Sequence, residues 1–361
     1  MALLSRKREY TPIGLDIENG AICAVQFKRT RQGLRVHATA KSVAIATESD
    51  RNPVAELQSV MQGANFAGRR VVSAISNTET DVRPIHLPAE IDSERHPGFW
   101  EAVRMEASSC LLYTAEEAVI DYLPIVTDTE SASDGLHVLL IAARKECINR
   151  HLALLRAAGL RSAHLDVGSC AAARLVGHAN ESIAIVDYGP ECTSVTMARG
   201  KHLLFSRAIR TGHNALTAAV TKGLGIDEHD AIQMLRTIGI RSESRSVACM
   251  EAVEKNGRMS RGDLASTIFE TCYDVLDAFS GEIRRSLEYF SAQRPDFAPE
   301  KVILAGPLLP LNIEHCLSSR LPLPIELADS LSAFAHGHAE NGHRDPAYVV
   351  AAGLAMRGEA A

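Results

Sequence analysis

Two periods of apolar and polar residues alternate along this chain. From Ile13 to Phe27 it reads IGLDIENGAICAVQF: an apolar run reaches an aspartate, breaks at Asn19-Gly20 and resumes. That pattern predicts strand, tight turn and strand, with Asp16 held near the turn. The plan returns half a chain later. SIAIVDYGPECTSVTMARGKHLLFSRAIR, from Ser182 to Arg210, predicts a strand ending near Asp187, a glycine-containing turn, a second strand, an Arg/Gly turn and a third strand. We read the pair as a duplicated three-stranded meander heading two similar domains. Chance likeness of two unrelated hairpins is the alternative this pattern leaves open.

Helical period follows each meander. Asn52-Pro53 supplies an N-cap and a first-turn proline for PVAELQSVMQG, and NALTAAVTKGLG is stopped by glycine. Between the halves, DSERHPGFWEAVRMEASSCLL has helical spacing, with Phe99, Val103 and Met105 at the start of its apolar face. AVIDYLPIV and GLHVLLIAARK read as strands separated by the acidic loop TDTESASDG, and CINRHLALLRAAGLRS as an amphipathic helix closed by Gly159. In the second half, Asp227 caps EHDAIQMLRTIG, and a long helix runs through DLASTIFETCYDVLDAFSGEIRRSLEYFSAQ. Gly281 inside it is expected to mark close packing. A buried strand KVILAG and the helices NIEHCLSSRL and PAYVVAAGLAMRG complete the chain. The expected division is a first core over residues 8–80 and 162–181 with an α+β insert over 81–161. A second core takes 182–225 and 299–361, with a helical subdomain over 226–298.

Composition narrows the function classes. With 361 residues, 46% hydrophobic and 23% charged, the chain reads as a globular protein long enough for two domains. A net charge of -6 without a basic stripe argues against nucleic acid as a partner. The eight cysteines are scattered with no C-x-x-C pair, so they read as small buried residues, not a disulfide framework or zinc site. No apolar run approaches the roughly 20 residues of a membrane helix. The opening MALLSRKREY lacks a signal-peptide core. The expectation is a cytoplasmic protein that meets a membrane only through a partner.

Two strand-turn-strand units with an aspartate near each turn suit a phosphate and magnesium site. Tight turns offer backbone N–H groups to phosphate oxygens, and aspartates hold Mg²⁺ largely through water. Asp187, Gly189 and Thr193 fit that chemistry; Asp16 and Gly20 fit it less well, because Glu18 brings a negative charge to the first turn. Plain turn residues are the simpler reading of both aspartates. HGHAENGH (His336, His338, His343) reads as a solvated loop, and the Ser108-Ser109-Cys110 and Gly168-Ser169-Cys170 runs as helix packing. No Walker A, GxGxxG or HExxH motif occurs.

GLDI, DYLPIV, LLIAARKECINRHLALLRAAGL, VDYGPECTSVTMARG, SGEIRRSLEYFSAQ, VILAGPLLPLNIEHCLSSRLPLPIELAD and VVAAGLAMRG follow one another in a distinctive order. As a set covering nearly the whole chain, this resembles the PilM family, the actin-like cytoplasmic components of type IV pilus assembly machines, and more distantly FtsA. The resemblance implies an α/β fold of duplicated actin-like (ribonuclease H-like) domains around a nucleotide cleft, with an FtsA-like inserted α+β subdomain. It implies ATP held by two phosphate loops, Asp16, Asn19 and Gly20 in the first and Asp187, Gly189 and Thr193 in the second, with Mg²⁺ near Asp16 and Asp187. It also implies a helix carrying Glu282 and Arg285 beside the nucleoside, and an adenosine loop at Gly306.

Three residues depart from the family pattern. Glu18 stands where the first loop carries glycine, Cys23 where it carries lysine, and Pro307 shortens the adenosine loop. A lost cation and an added carboxylate predict weak ATP binding and no appreciable hydrolysis. The resemblance therefore implies a scaffold that binds the cytoplasmic tail of a PilN-like inner-membrane protein. The two strands of the insert are the expected docking edges, with Arg104 and Arg144 as candidate contacts. An active ATPase or sugar kinase and an FtsA-like self-associating filament scaffold are the alternatives.

Overall fold

The computed structural model describes residues 9–18, 20–43, 52–88, 90–91, 93–125, 136–178, 180–241, 261–334 and 345–357. The first meander comprises β1 (Ile13–Glu18), β2 (Ala21–Thr30) and β3 (Gly33–Val43), antiparallel as expected. β4 (Arg70–Ile75) and β8 (Arg161–Val167) extend it in parallel, giving the order β3-β2-β1-β4-β8. The second meander, β9 (Ser182–Tyr188), β10 (Thr193–Arg199) and β11 (His202–Ile209), is extended by β12 (Lys301–Ala305) and β13 (Ile325–Leu327). Its order, β11-β10-β9-β12-β13, repeats the first. Two sheets with one connectivity are what a duplication produces.

Between β4 and β8 the chain forms a third sheet from β5 (Thr80–His86), β6 (Ala118–Pro124) and β7 (His137–Arg144), ordered β5-β7-β6. Helix α2 (Phe99–Cys110) covers one face, where Phe99 and Val103 pack on Val138 and Leu140. Met105 does not join them and is exposed. Because β7 is paired on both sides, it offers no edge, which corrects the expectation that both strands were available for docking. Only β6 and β5 are edges. TDTESASDG lies outside the described residues.

The insert also ends earlier than residue 161. Helix α3 (Lys145–Ala157) puts Leu155 into the core of the first sheet with Ile13, Leu15 and Leu57, the last from α1 (Pro53–Gln62). The His151 ring bonds the hydroxyl of Ser73 on β4 at 2.8 Å. On the second sheet lie α5 (His213–Leu224), α6 (Glu228–Thr237), the 33-residue α7 (Arg261–Gln293) and α8 (Ile313–Ser318). Gly281 within α7 has only the Arg285 guanidinium near its missing side chain, at 3.6 Å, so it does not mark close packing.

Two helices join the halves. α4 (Gly168–Val176) follows β8, and α9 (Val349–Ala355) is buried along its whole length. They share a core with Val72 and Ala74 of the first sheet and Ile183 and Ile185 of the second. Backbones approach so closely that a Cβ on Gly353 would lie 1.9 Å from the Ala171 carbonyl oxygen, and one on Gly14 1.9 Å from that of Ala351. Glycine is required at both places.

Candidate functional site

The duplicated turns meet. Gly20, at φ +104°, closes the first turn, and its missing side chain faces Pro190 of the second at 3.5 Å. In the second turn the Gly189 N–H donates to the Cys192 carbonyl, while the first two N–H groups of α5 donate to the carbonyls of Gly189 and Pro190. Gly306, at φ +129°, ends β12 against the Tyr188 backbone, where a Cβ would approach the Tyr188 oxygen to 2.2 Å. These glycines let three loops crowd one cleft. Asn19 lies outside the described residues.

Three carboxyl groups face that cleft. Asp16 is only 9% exposed, and burial together with the charge of Asp187 pushes its carboxyl up to about 8. Burial raises Asp187 to about 6. Glu18 is raised well above the usual carboxylate range by burial, then by Asp16, Asp187 and Glu191. None of the three has an ion pair among the described residues. Cys23 stands directly opposite Asp16 on the neighbouring strand. Cross-strand partners share a face, so a lysine at position 23 would answer the Asp16 charge. The buried thiol does not, and burial raises its own pKa.

Asp16 and Asp187 suit a hydrated cation, and Glu18 adds a third carboxyl group to the same cleft. Glu18 Oε2 lies 2.8 Å from where a Cβ on Gly189 would be. It therefore covers the backbone a phosphate would need to approach. Thr193 is fully buried, and its hydroxyl donates to the Thr211 carbonyl at 2.7 Å. Glu282 is held between Arg207 at 2.9 Å and Arg285 at 2.6 Å, and the Arg285 hydrogen bond keeps its carboxyl below the usual range. The sequence pattern brought Asp16, Gly20, Asp187, Gly189 and Gly306 to one cleft; it did not reveal Arg207 as the partner of Glu282.

A second concavity lies between the insert and the two cores. It encloses about 760 Å³, with Val119, Asp121 and Leu123 of β6 on one wall and Leu165 and Val167 of β8 on the other. Its cations, Arg174, Lys201 and Arg357, come from α4, the β10–β11 turn and the segment after α9. Asp166 sits at its base, side chain 6% exposed, bonded to Arg174 at 3.0 Å and Arg357 at 2.8 Å. Neither Arg104 nor Arg144 lines it. Arg144 lies over the Tyr113 ring at 4.5 Å. Arg104 lines a smaller hollow of about 370 Å³ with Trp100, Ile120 and Lys145.

Residues 14–243 match the model of the family described as type IV pilus assembly protein PilM. The chain belongs to that family. A solved structure described as the PilM-PilN type IV pilus biogenesis complex is similar to it at 25% identity, over 98% of this chain and 100% of that one, with a TM-score of 0.75. The ethanolamine utilization protein EutJ from Carboxydothermus hydrogenoformans is similar at 13% identity, over 98% and 91% of the two chains, with a TM-score of 0.53. A diol dehydratase-reactivating factor in nucleotide-free form follows at 11% identity, over 97% and 99%, with a TM-score of 0.52. The last two likenesses concern the fold alone. The duplicated sheets and their neighbours make this the expected actin-like α/β fold. Among the described residues, no helix is long and apolar enough to cross a membrane.

Proposed function

We propose that this protein is a cytoplasmic scaffold of a type IV pilus or related machine, working by capture of a partner and not by nucleotide turnover. The partner is the cytoplasmic tail of a PilN-like inner-membrane protein, which would hold the scaffold at the membrane. The observation that carries this reading is the likeness to the PilM-PilN complex over 98% of this chain and 100% of that one. The groove of about 760 Å³ between insert and core supports it, with Val119 and Leu123 on one wall, Leu165 and Val167 on the other, and polar groups between them to receive an extended segment. The degenerate nucleotide site is part of the same proposal. It rests on Glu18 over Gly189, on Cys23 opposite Asp16, and on Glu282 committed to two arginines. No residue is assigned a catalytic role.

The test is a titration of the full-length protein with a synthetic peptide spanning the cytoplasmic tail of a PilN-like protein from the same organism. Val119→Asp places a charge on the groove wall at a half-exposed position, and Lys201→Glu reverses a groove cation. Both should weaken tail binding while leaving the thermal transition unchanged. Tail binding unaffected by either substitution would remove the groove from the account.

A further inference from the structure

The first sheet has another end, away from the cleft. β1, β4 and β8 run parallel, so their first residues lie together there, with Ile13 beside Val71 and Arg70 beside Arg161. β2 is antiparallel to β1, which brings the turn between β2 and β3 to the same end. That turn carries Lys28, Arg29, Arg31 and Arg35, with Lys28 directly opposite Arg35. Arg70 opens β4 behind Arg69, Arg161 opens β8, and Arg156 lies in the last turn of α3. All but Lys28 and Arg29 are exposed. Opposite charge is scarce: Glu9, bonded to Lys28 at 2.9 Å, is the one carboxylate within residues 9–12, 26–37, 62–71 and 156–162, which build this end.

The cations stand on a fixed platform. Gln26, 1% exposed, donates to the carbonyls of Thr11 at 2.9 Å and Ala67 at 3.0 Å and accepts from the Ala67 N–H at 2.7 Å, tying β2 to the segments before β1 and β4. Arg31, Arg69, Arg70, Arg156 and Arg161 have no ion pair among the described residues. A chain of net charge -6 thus gathers eight of its 38 Lys and Arg against one carboxylate. They come from separate stretches of sequence, so no basic stripe runs along the chain. Arg6, Lys7 and Arg8 immediately precede Glu9 in the sequence and carry the same sign.

We propose that this end of the first sheet docks on an anionic phospholipid bilayer, its arginines meeting lipid phosphates without insertion of the chain. The contact is direct and separate from any held through a partner's tail. Guanidinium groups pair with phosphate through two parallel hydrogen bonds, and the negative potential of such a surface draws in each cation that reaches it. The turn stands forward of the strand starts, so the bilayer plane that meets both the turn and Arg161 is tilted to the strands. None of the large apolar side chains exposed among the described residues lies here, so the attraction is electrostatic and weakens with salt. Nucleic acid fits less well. The end is built of strand starts, a turn and the final turns of helices, with no helix side to enter a groove. Its aromatic rings are occupied: Tyr10 lies against His37 at 4.5 Å and under Lys28 at 5.7 Å, and Phe66 packs on the first core, so neither is free to stack on bases.

The experiment sediments the full-length protein with phosphatidylcholine vesicles, either pure or containing about 30% phosphatidylglycerol, in about 0.1 M salt. No tail peptide is present, so the outcome is independent of the capture reading. Binding should require phosphatidylglycerol and fall away in about 1 M salt. Each cation at the surface is worth about fivefold in partitioning, so Arg31→Gln, Arg35→Gln and Arg70→Gln together should weaken binding by at least about thirtyfold. A control removes the same charge from exposed positions of the second half, through Lys222→Gln, Arg236→Gln and Arg284→Gln. It should change binding by less than about twofold. All six side chains are exposed, and unchanged thermal midpoints would show both variants folded. Absence of binding to the anionic vesicles, equal binding to pure phosphatidylcholine, or equal losses in the two triple variants would overturn the proposal. So would displacement from the vesicles by duplex or single-stranded DNA at equal phosphate concentration, which would assign this end to nucleic acid.

Discussion

Replacing Asp16 by asparagine should stabilise the protein at alkaline pH, an unusual result for a residue at the centre of a candidate site. The carboxyl is 9% exposed, has no hydrogen-bond or ion-pair partner among the described residues, and is pushed from its ordinary 3.8 to about 8 by burial and then by Asp187. A group whose pKa is raised on folding contributes stability fully below its unfolded value, and that contribution disappears as pH rises through the folded value. The window for Asp16 is therefore between about pH 4 and about pH 8. At about 1.4 kcal/mol per pH unit, the rigid-site cost at pH 8 is about 5 kcal/mol. Water entry and relaxation around the cleft reduce the measurable part to roughly 2 kcal/mol. The asparagine side chain carries no charge in either state, so the variant escapes the loss. Urea unfolding in metal-free buffer should show Asp16→Asn ahead by that amount at about pH 8 and level with wild type near pH 4. A variant that is less stable at pH 8, or a difference independent of pH, would refute an unanswered carboxylate cluster.

The same cluster predicts that Mg-ATP, followed by titration calorimetry, binds far more weakly than the low-micromolar range, and that Glu18→Gly combined with Cys23→Lys recovers affinity by uncovering Gly189 and answering Asp16. His213 is 1% exposed, and burial lowers its pKa to about 4. Its neutral form is favoured in the fold, so its contribution is present above about pH 6.5 and lost as pH falls toward 4. His213→Phe should therefore lose less stability than wild type over that interval, by up to about 3 kcal/mol, in unfolding curves taken at several pH values. Gly353→Ala should cost about 3 kcal/mol or more, read as a lowered thermal midpoint, because its Cβ would press on the Ala171 carbonyl where the two halves join.

Local chemistry explains what was legible in advance. The meanders showed because Gly20 and Gly189 interrupt long apolar runs, and α1 and α6 because Asn52 and Asp227 accept from backbone N–H groups as the caps they resemble. β5 did not show. It is an edge strand carrying Pro84, and most of its residues are only partly covered, so no alternation marks it. The place of α3 was hidden as well, because its amphipathic pattern states that one face is buried and not which sheet receives it. The cleft followed from duplication: an aspartate near each of two similar turns must meet when the halves face each other. The groove did not, since Arg174, Lys201 and Arg357 come from three elements far apart in the chain, α4, the β10–β11 turn and the segment after α9. Arg104 stood out as a cation, but spacing along α2 cannot tell which side of β6 it flanks; it lines the smaller hollow with Trp100 and Lys145.

Capture without turnover is the central claim, and one titration addresses it directly. The full-length protein is mixed with the PilN-like tail peptide in nucleotide-free buffer and again with saturating Mg-ATP, with binding followed by anisotropy of the labelled peptide and by Trp100 emission. The account predicts saturable binding with the same dissociation constant in both buffers. Binding that appears only with Mg-ATP, or that is released on its hydrolysis, would contradict it.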